Sequence, residues 1–213
     1  MDLTNIENLD FKLFCSSSFT VVSTSPYIVK NGYNLALIDS SKGEINPQDF
    51  SLINTVCAHS EDTAKTLISL GYERGVTCFQ FAYLKDFAPQ TNGDLQIKVL
   101  DESYLPFVEF GYGGGDYAKR LLKTGKIYGG FNGEVPIGFI GVHDANTIGL
   151  IFVSPEHRKK GYAKELLSFA VNLQLSKGLT PLTQVAIDNT PSIRLHESIG
   201  FTKLQTKTIW LKK

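Results

Sequence analysis

The chain has no surplus of charge: 21 Lys and Arg stand against 21 Asp and Glu in 213 residues. With no excess of cations there is no net field to drive counterion release from nucleic acid or to hold an anionic bilayer, so neither partner is expected. Cysteine is scarce. Cys15, Cys57 and Cys78 show no C-x-x-C spacing, which excludes a disulfide framework or a zinc ligand set and leaves buried or incidental thiols. Long apolar runs are missing as well, since Val135 to Val142 falls far short of the roughly 18 residues of a membrane span. The opening Met1-Asp2-Leu3-Thr4-Asn5-Ile6-Glu7 lacks the basic-then-apolar order of a secretory signal, so a soluble, cytoplasmic protein is expected.

What is present is an ordinary globular composition, 42% hydrophobic and 20% charged, in a chain long enough to bury about 70% of its unfolded surface. Ala88-Pro89-Gln90-Thr91-Asn92-Gly93-Asp94 gathers turn residues between two apolar runs and reads as a linker between a region over 1–90 and one over 95–213. Val76 to Tyr83 before it and Leu95 to Leu100 after it read as strands. Helical spacing follows over Glu102 to Phe110 and Asp116 to Lys123, with Asp116 placed to cap the second helix beyond Gly113-Gly114-Gly115. Lys126 to Asn132, Val135 to His143 and Ile148 to Val153 are strand-like and joined by short turns, so they form an antiparallel meander. A helix from about Lys160 to Ser176, closed by Gly178, a strand Leu182 to Ile187, a short helix Thr190 to Ser198 and a strand Phe201 to Leu211 complete a mixed α/β fold.

A weak repeat links the two regions. Val56 to Lys65, running on to Gly71-Tyr72, meets Val185 to Arg194, running on to Gly200-Phe201, at a constant offset of 129. Both copies read strand, loop, short helix, glycine, aromatic, strand.

The chemistry concentrates in Ile151-Phe152-Val153-Ser154-Pro155-Glu156-His157-Arg158-Lys159-Lys160-Gly161-Tyr162-Ala163. A strand that turns through basic residues into a helix builds an anion site, because the first-turn N–H groups lack intrahelical partners and the helix dipole adds positive charge. Gly161 lets the backbone approach a phosphate, Ala163 keeps the helix start open, and Arg158, Lys159 and Lys160 add charge. The plain alternative is a solvated basic helix start.

Arg158-Lys159-Lys160-Gly161-Tyr162-Ala163 resembles the Q/R-x-x-G-x-G/A pyrophosphate loop of the GNAT superfamily of acyl-CoA-dependent N-acyltransferases, and Val153 to Arg158 resembles its V-x-P-x-x-R lead-in. Asn189, a short helix and Gly200-Phe201 resemble its second motif. The resemblance covers Leu95 to the C-terminus and implies a mixed, mostly antiparallel sheet with flanking helices, splayed where Ile148 to Val153 and Leu182 to Ile187 diverge. It further implies acetyl-CoA as acyl donor in that gap, with backbone groups of Ile151 and Val153, flanking Phe152, pairing with the pantetheine. Backbone N–H groups from Lys159 to Ala163 would hold the pyrophosphate, and Asn189 would reach the arm near the sulfur. The region 1–90 would be a degenerate copy with Ser60 in the place of Asn189. His196 stands where many members place a Tyr that protonates the leaving thiolate; its alternative is packing beside the CoA arm.

The expected reaction is direct attack of an amine on the thioester in a ternary complex, with a small molecule or a protein amine as acceptor; a homodimer is compatible with it. Deprotonating an amine of pKa near 10.4 costs roughly 4–5 kcal/mol at pH 7, against about 2 to release a thiolate of pKa near 8.5, so the base matters more than the acid. Candidates for it are Glu134, His143 and Asp144, each of which also reads as an ordinary turn residue. The alternative function is a CoA-binding module that has lost the chemistry. Gly113-x-Gly115-x-x-Ala118, with Glu134 about 20 residues on, mimics a dinucleotide fingerprint, but the hairpin after it is antiparallel where a βαβ unit needs a parallel strand. That glycine loop, with Tyr112 and Tyr117, would instead line the acceptor side.

Overall fold

The computed structural model describes residues 2, 4–16, 20–24, 27–30, 35–39 and 44–213; parts of the region 1–90, including Met1 and Leu3 of the opening segment, lie outside them. The chain runs α1 (Leu9–Cys15), β1 (Thr20–Thr24), β2 (Tyr27–Lys30), β3 (Leu35–Asp39), β4 (Thr55–Ala58), α2 (Glu61–Ser69) and β5 (Glu73–Ala82). Beyond the linker come β6 (Gln96–Val99), α3 (Leu105–Tyr112), α4 (Gly115–Lys123), β7 (Ile127–Asn132), β8 (Val135–Val142), β9 (Ile148–Val153), α5 (Tyr162–Leu175), β10 (Leu182–Ala186), α6 (Thr190–Ser198) and β11 (Thr202–Lys212). The expected meander is β7, β8 and β9, antiparallel throughout. One expected cap differs: Gly114 in a left-handed conformation starts α4, and Asp116 sits inside its first turn.

The eleven strands among the described residues form one sheet, in the order β1-β2-β3-β4-β11-β5-β10-β9-β8-β7-β6. The linker therefore does not separate two sheets. β5, from before it, lies between β10 and β11, while β11, from the far end of the chain, lies between β4 and β5. Each region lends the other a central strand.

The repeat at offset 129 is visible in three dimensions. α2 and α6 cover the equivalent residues, and each is capped by the side chain ahead of it: Ser60 accepts from the Thr63 N–H at 3.1 Å and Asn189 from the Ser192 N–H at 3.1 Å. Such caps contribute about 1 kcal/mol each. The copies part company between their parallel strands. Between β3 and β4 the described residues hold a 3-10 turn, Pro47–Phe50, and the two strands pair from Leu35↔Thr55 to Ile38↔Ala58. β9 and β10 are connected by the 14-residue α5 and pair only at Ile148↔Thr183.

Clusters of buried side chains hold the helices on the sheet. Leu166, Leu167, Ala170 and Val171 of α5 pack against Ile137, Ile140, Ile148 and Val153, and each buried leucine contributes about 1.5–3 kcal/mol. Ala118, Leu121 and Leu122 recur at helical spacing on α4 and meet Val108, Phe139 and Leu150. α2 buries Ala64 and Leu67 against Val56, Ile209 and Leu211. Cys57 and Cys78 are buried free thiols and Cys15 is partly exposed, as their spacing suggested.

Candidate active site

The site begins where β9 leaves β10. At Leu150 the register of β9 against β8 slips between Phe139↔Phe152 and Gly141↔Gly149, and Leu150 takes a left-handed φ of 53°. A bulge of this kind bends the strand and increases its twist, and it lies just beyond the last residue paired with β10. The result is a cleft between Gly149–Val153 and Gln184–Ile187. Phe110 is 74% exposed at the end of α3 and stands edge-on to Phe152. Tyr112 lies beneath the Gly113–Gly115 loop and is half exposed.

At the C-terminal end of β9 the chain passes through a 3-10 turn, Pro155–His157, and reaches α5 through Lys159 at φ 62° and Gly161 at φ 89°. The Gly161 carbonyl accepts from the N–H groups of Lys164 and Glu165 at 2.9 and 3.2 Å. The N–H groups from Lys159 to Ala163 meet no acceptor among the described residues. A Cβ built on Gly161 would meet nothing within 4 Å. Five donors around open space at a helix N-terminus form an anion cradle.

Arg158 serves this loop from inside: its Nε donates to the Val153 carbonyl at 3.0 Å. Val153 therefore has its carbonyl engaged by the protein; Phe152 is paired with Phe139 of β8, and alternation along the strand turns the backbone groups of Ile151 and the Val153 N–H to the opposite edge. The structure adds residues that the sequence pattern did not single out. A cavity of about 320 Å³ beside the cradle is lined by Gln90, Thr91, Asn92, Gly161, Lys164 and Glu165. The linker is tied there by the Leu95 N–H, which donates to the Glu165 carboxylate at 3.0 Å. A basic residue one turn into the helix was the available signal for Lys164; nothing local marks 90–92.

The three candidate bases do not converge. Glu134 is exposed in the β7–β8 turn, while His143 and Asp144 follow the other end of β8, roughly 30 Å away at 3.3 Å per strand residue. Asp144 accepts from Lys126 at 2.8 Å and from Arg120. Burial opposes its ionisation, but these two cations hold the carboxyl below the usual range. His143 is neutral, because burial pushes it down to about 4. Its Nδ1 lies 2.6 Å from Tyr117 Oη, with the two rings stacked at 5.8 Å.

His196 is 2% exposed, between Phe81 and Phe201. Its Nδ1 donates to the Ser192 carbonyl at 2.7 Å. Burial lowers its pKa, and that hydrogen bond offsets part of the effect. Asn189 Oδ1 is committed to the α6 cap, which leaves its Nδ2 as the free donor.

Residues 97–201 match the Acetyltransferase (GNAT) family. No curated protein matches the chain in sequence. Among solved structures, a Drosophila protein superposes with a TM-score of 0.65 at 14% identity, covering 93% of this chain and 75% of its own. A GCN5-related N-acetyltransferase from Kribbella flavida gives 0.63 at 11% identity, covering 98% and 94%. A tandem GNAT protein from the clavulanic acid biosynthesis pathway gives 0.52 at 14% identity, covering 88% and 77%. These likenesses are of fold. Cradle, splayed strands and family match agree: residues 97–201 carry the sequence pattern of the GNAT acetyltransferase family, on a fold shared with N-acetyltransferases of known structure.

Proposed function

We propose that the protein transfers an acetyl group from acetyl-CoA to an amine by direct attack in a ternary complex. The observation that carries this reading is the parting of β9 from β10 after one ladder pair, directly upstream of five free N–H donors. The N–H groups from Lys159 to Ala163, with Lys160 and Lys164 nearby, hold the pyrophosphate. The Ile151 backbone and the Val153 N–H pair with the pantetheine, and Asn189 Nδ2 reaches toward the sulfur. The attacking nitrogen forms the C–N bond, the C–S bond breaks, and the thiolate takes its proton from water. The reading is tested by free-thiol release from acetyl-CoA over a panel of amines; thiol release that no amine accelerates sinks it.

A second reading, a CoA-binding module without turnover, is favoured by one observation: Asp144, one of the candidate bases, is neutralised by Arg120 and Lys126. The same assay separates the two.

The region before the linker is proposed to be a degenerate copy that binds no CoA, since β3 and β4 are zipped where β9 and β10 part and a 3-10 turn replaces α5. His196 is assigned to packing, because its one neutral-state proton is held by the Ser192 carbonyl. His196→Leu should lower turnover by far less than the roughly 100-fold that a general acid supplies. Its effect should appear in stability instead. Unfolded, this histidine titrates near 6.5, and folded it titrates lower, so acid favours the unfolded chain. The contribution is present above pH 6.5 and lost as pH falls below it. Urea midpoints at pH 7 and pH 5 should therefore draw closer together in His196→Leu than in the wild type.

A further inference from the structure

The β8–β9 turn carries an arrangement that phosphate binding does not explain. A Cβ built on Gly149 would stand 2.1 Å from His143 Nε2, so the imidazole fills the volume that a side chain at 149 would occupy. Gly149 follows Ile148, the last residue of β9 paired with β10. The ring thus lies against the apex of the cleft, on the side where α4 packs. Its Nε2 meets no partner among the described residues, and His143 is not sealed from solvent.

The other ring nitrogen is held. Tyr117 Oη sits 2.6 Å from Nδ1, and its proton meets no other acceptor among the described residues. A protonated phenol needs an acceptor and Nδ1 is the one it meets, so the Oη proton goes to Nδ1. That places the imidazole proton on Nε2. Every charged group packed around the pair serves its surroundings: Arg120 lies over the Tyr117 ring at 5.1 Å and binds Asp144, which also takes Lys126. Burial raises the Tyr117 hydroxyl, with Asp144 adding to the effect, so the phenol stays protonated.

Resting on the acetyltransferase reading, we propose that His143 acts as a neutral hydrogen-bond donor, its Nε2–H aimed at the thioester carbonyl, with Tyr117 as the positioning residue that fixes this tautomer. When the amine nitrogen attacks the carbonyl carbon, the C=O π pair moves to oxygen, and Nε2–H stabilises the oxyanion. Collapse restores the C=O bond and expels the CoA thiolate. The amine's proton passes to water, not to His143. Donors of this kind contribute about 100–1,000-fold in turnover. A ring that protonates only near pH 4 keeps the same donor throughout the neutral range, which a titrating histidine would not.

Long-range ¹H–¹⁵N NMR of the wild-type protein, with the His143 signal assigned by its loss in His143→Gln, reads the tautomer without substrate. The expected result is Nε2–H, neutral down to pH 5; an Nδ1–H tautomer, or a titration near 6.5, overturns the proposal. His143→Gln should lower kcat about 100-fold or more while the KM for acetyl-CoA changes little. Gly149→Ala, which displaces the ring without altering it, should lower kcat similarly. Tyr117→Phe should lower kcat about 10-fold and populate the Nδ1–H tautomer. Full turnover in a folded His143→Gln overturns the donor role. Failure of the wild-type chain to be stabilised by acetyl-CoA would instead strike at the acetyltransferase reading.

Discussion

Gly161→Val should abolish the stabilisation that acetyl-CoA gives the wild-type chain. At about 100 times its dissociation constant a ligand adds about 2.7 kcal/mol to the native state, which for a chain of this length raises the melting temperature by roughly 5–11 °C. A valine at 161 has room, since a Cβ there meets nothing within 4 Å. Its difficulty is backbone conformation and occupied space. Gly161 has φ 89°, a region that costs a residue with a Cβ about 1–2 kcal/mol. Moving out of it turns the N–H groups at the start of α5 away from their common centre, and the branched side chain stands where the phosphates approach. Thermal melts with and without acetyl-CoA measure the shift, far-UV circular dichroism checks the fold, and titration calorimetry on the wild type should count one site per chain. An unchanged shift in a folded variant removes the cradle from the mechanism; two sites remove the assignment of the first region as a non-binding copy.

A chain cut to residues 90–213 should not fold, although it retains the whole segment that matches the family. It lacks β5, which separates β10 from β11. Without that strand Val185 loses Phe79 and Phe81 from its cluster, and both neighbours present unpaired edges. An exposed central edge invites aggregation rather than a smaller native sheet. The full chain should unfold as one cooperative unit, with the fluorescence of Trp210, on the borrowed strand β11, coinciding with circular dichroism in urea. A soluble 90–213 fragment with a sharp unfolding transition would overturn this.

The open turn of N–H donors at the start of α5 was legible because its causes are local. A basic turn ending in glycine, between an apolar strand and an amphipathic helix, constrains backbone angles within about ten residues, and the same is true of the meander turns. His196 shows the limit of that reasoning. Its place in the second motif suggested chemistry, yet Phe81, on a strand more than a hundred residues away, encloses it and leaves its proton to Ser192. Val153 is a smaller instance, with Arg158 closing over the carbonyl that the pattern left free.

By itself the sequence determined the elements from Leu95 onward, the basic, glycine-ended turn into α5, and the internal copy at offset 129, because periodicity, turn chemistry and glycine placement act over a few residues. Only the tertiary structure decided that β5 and β11 are exchanged between the two regions. Alternating apolar strands look alike, and which edges meet depends on what the rest of the sheet leaves unpaired. The same holds for His143, Tyr117 and Gly149. Two lie on one hairpin and the third on α4, and nothing in their spacing shows that the packing of Ala118, Leu121 and Leu122 sets a phenol against an imidazole beside the one residue with no side chain to exclude it.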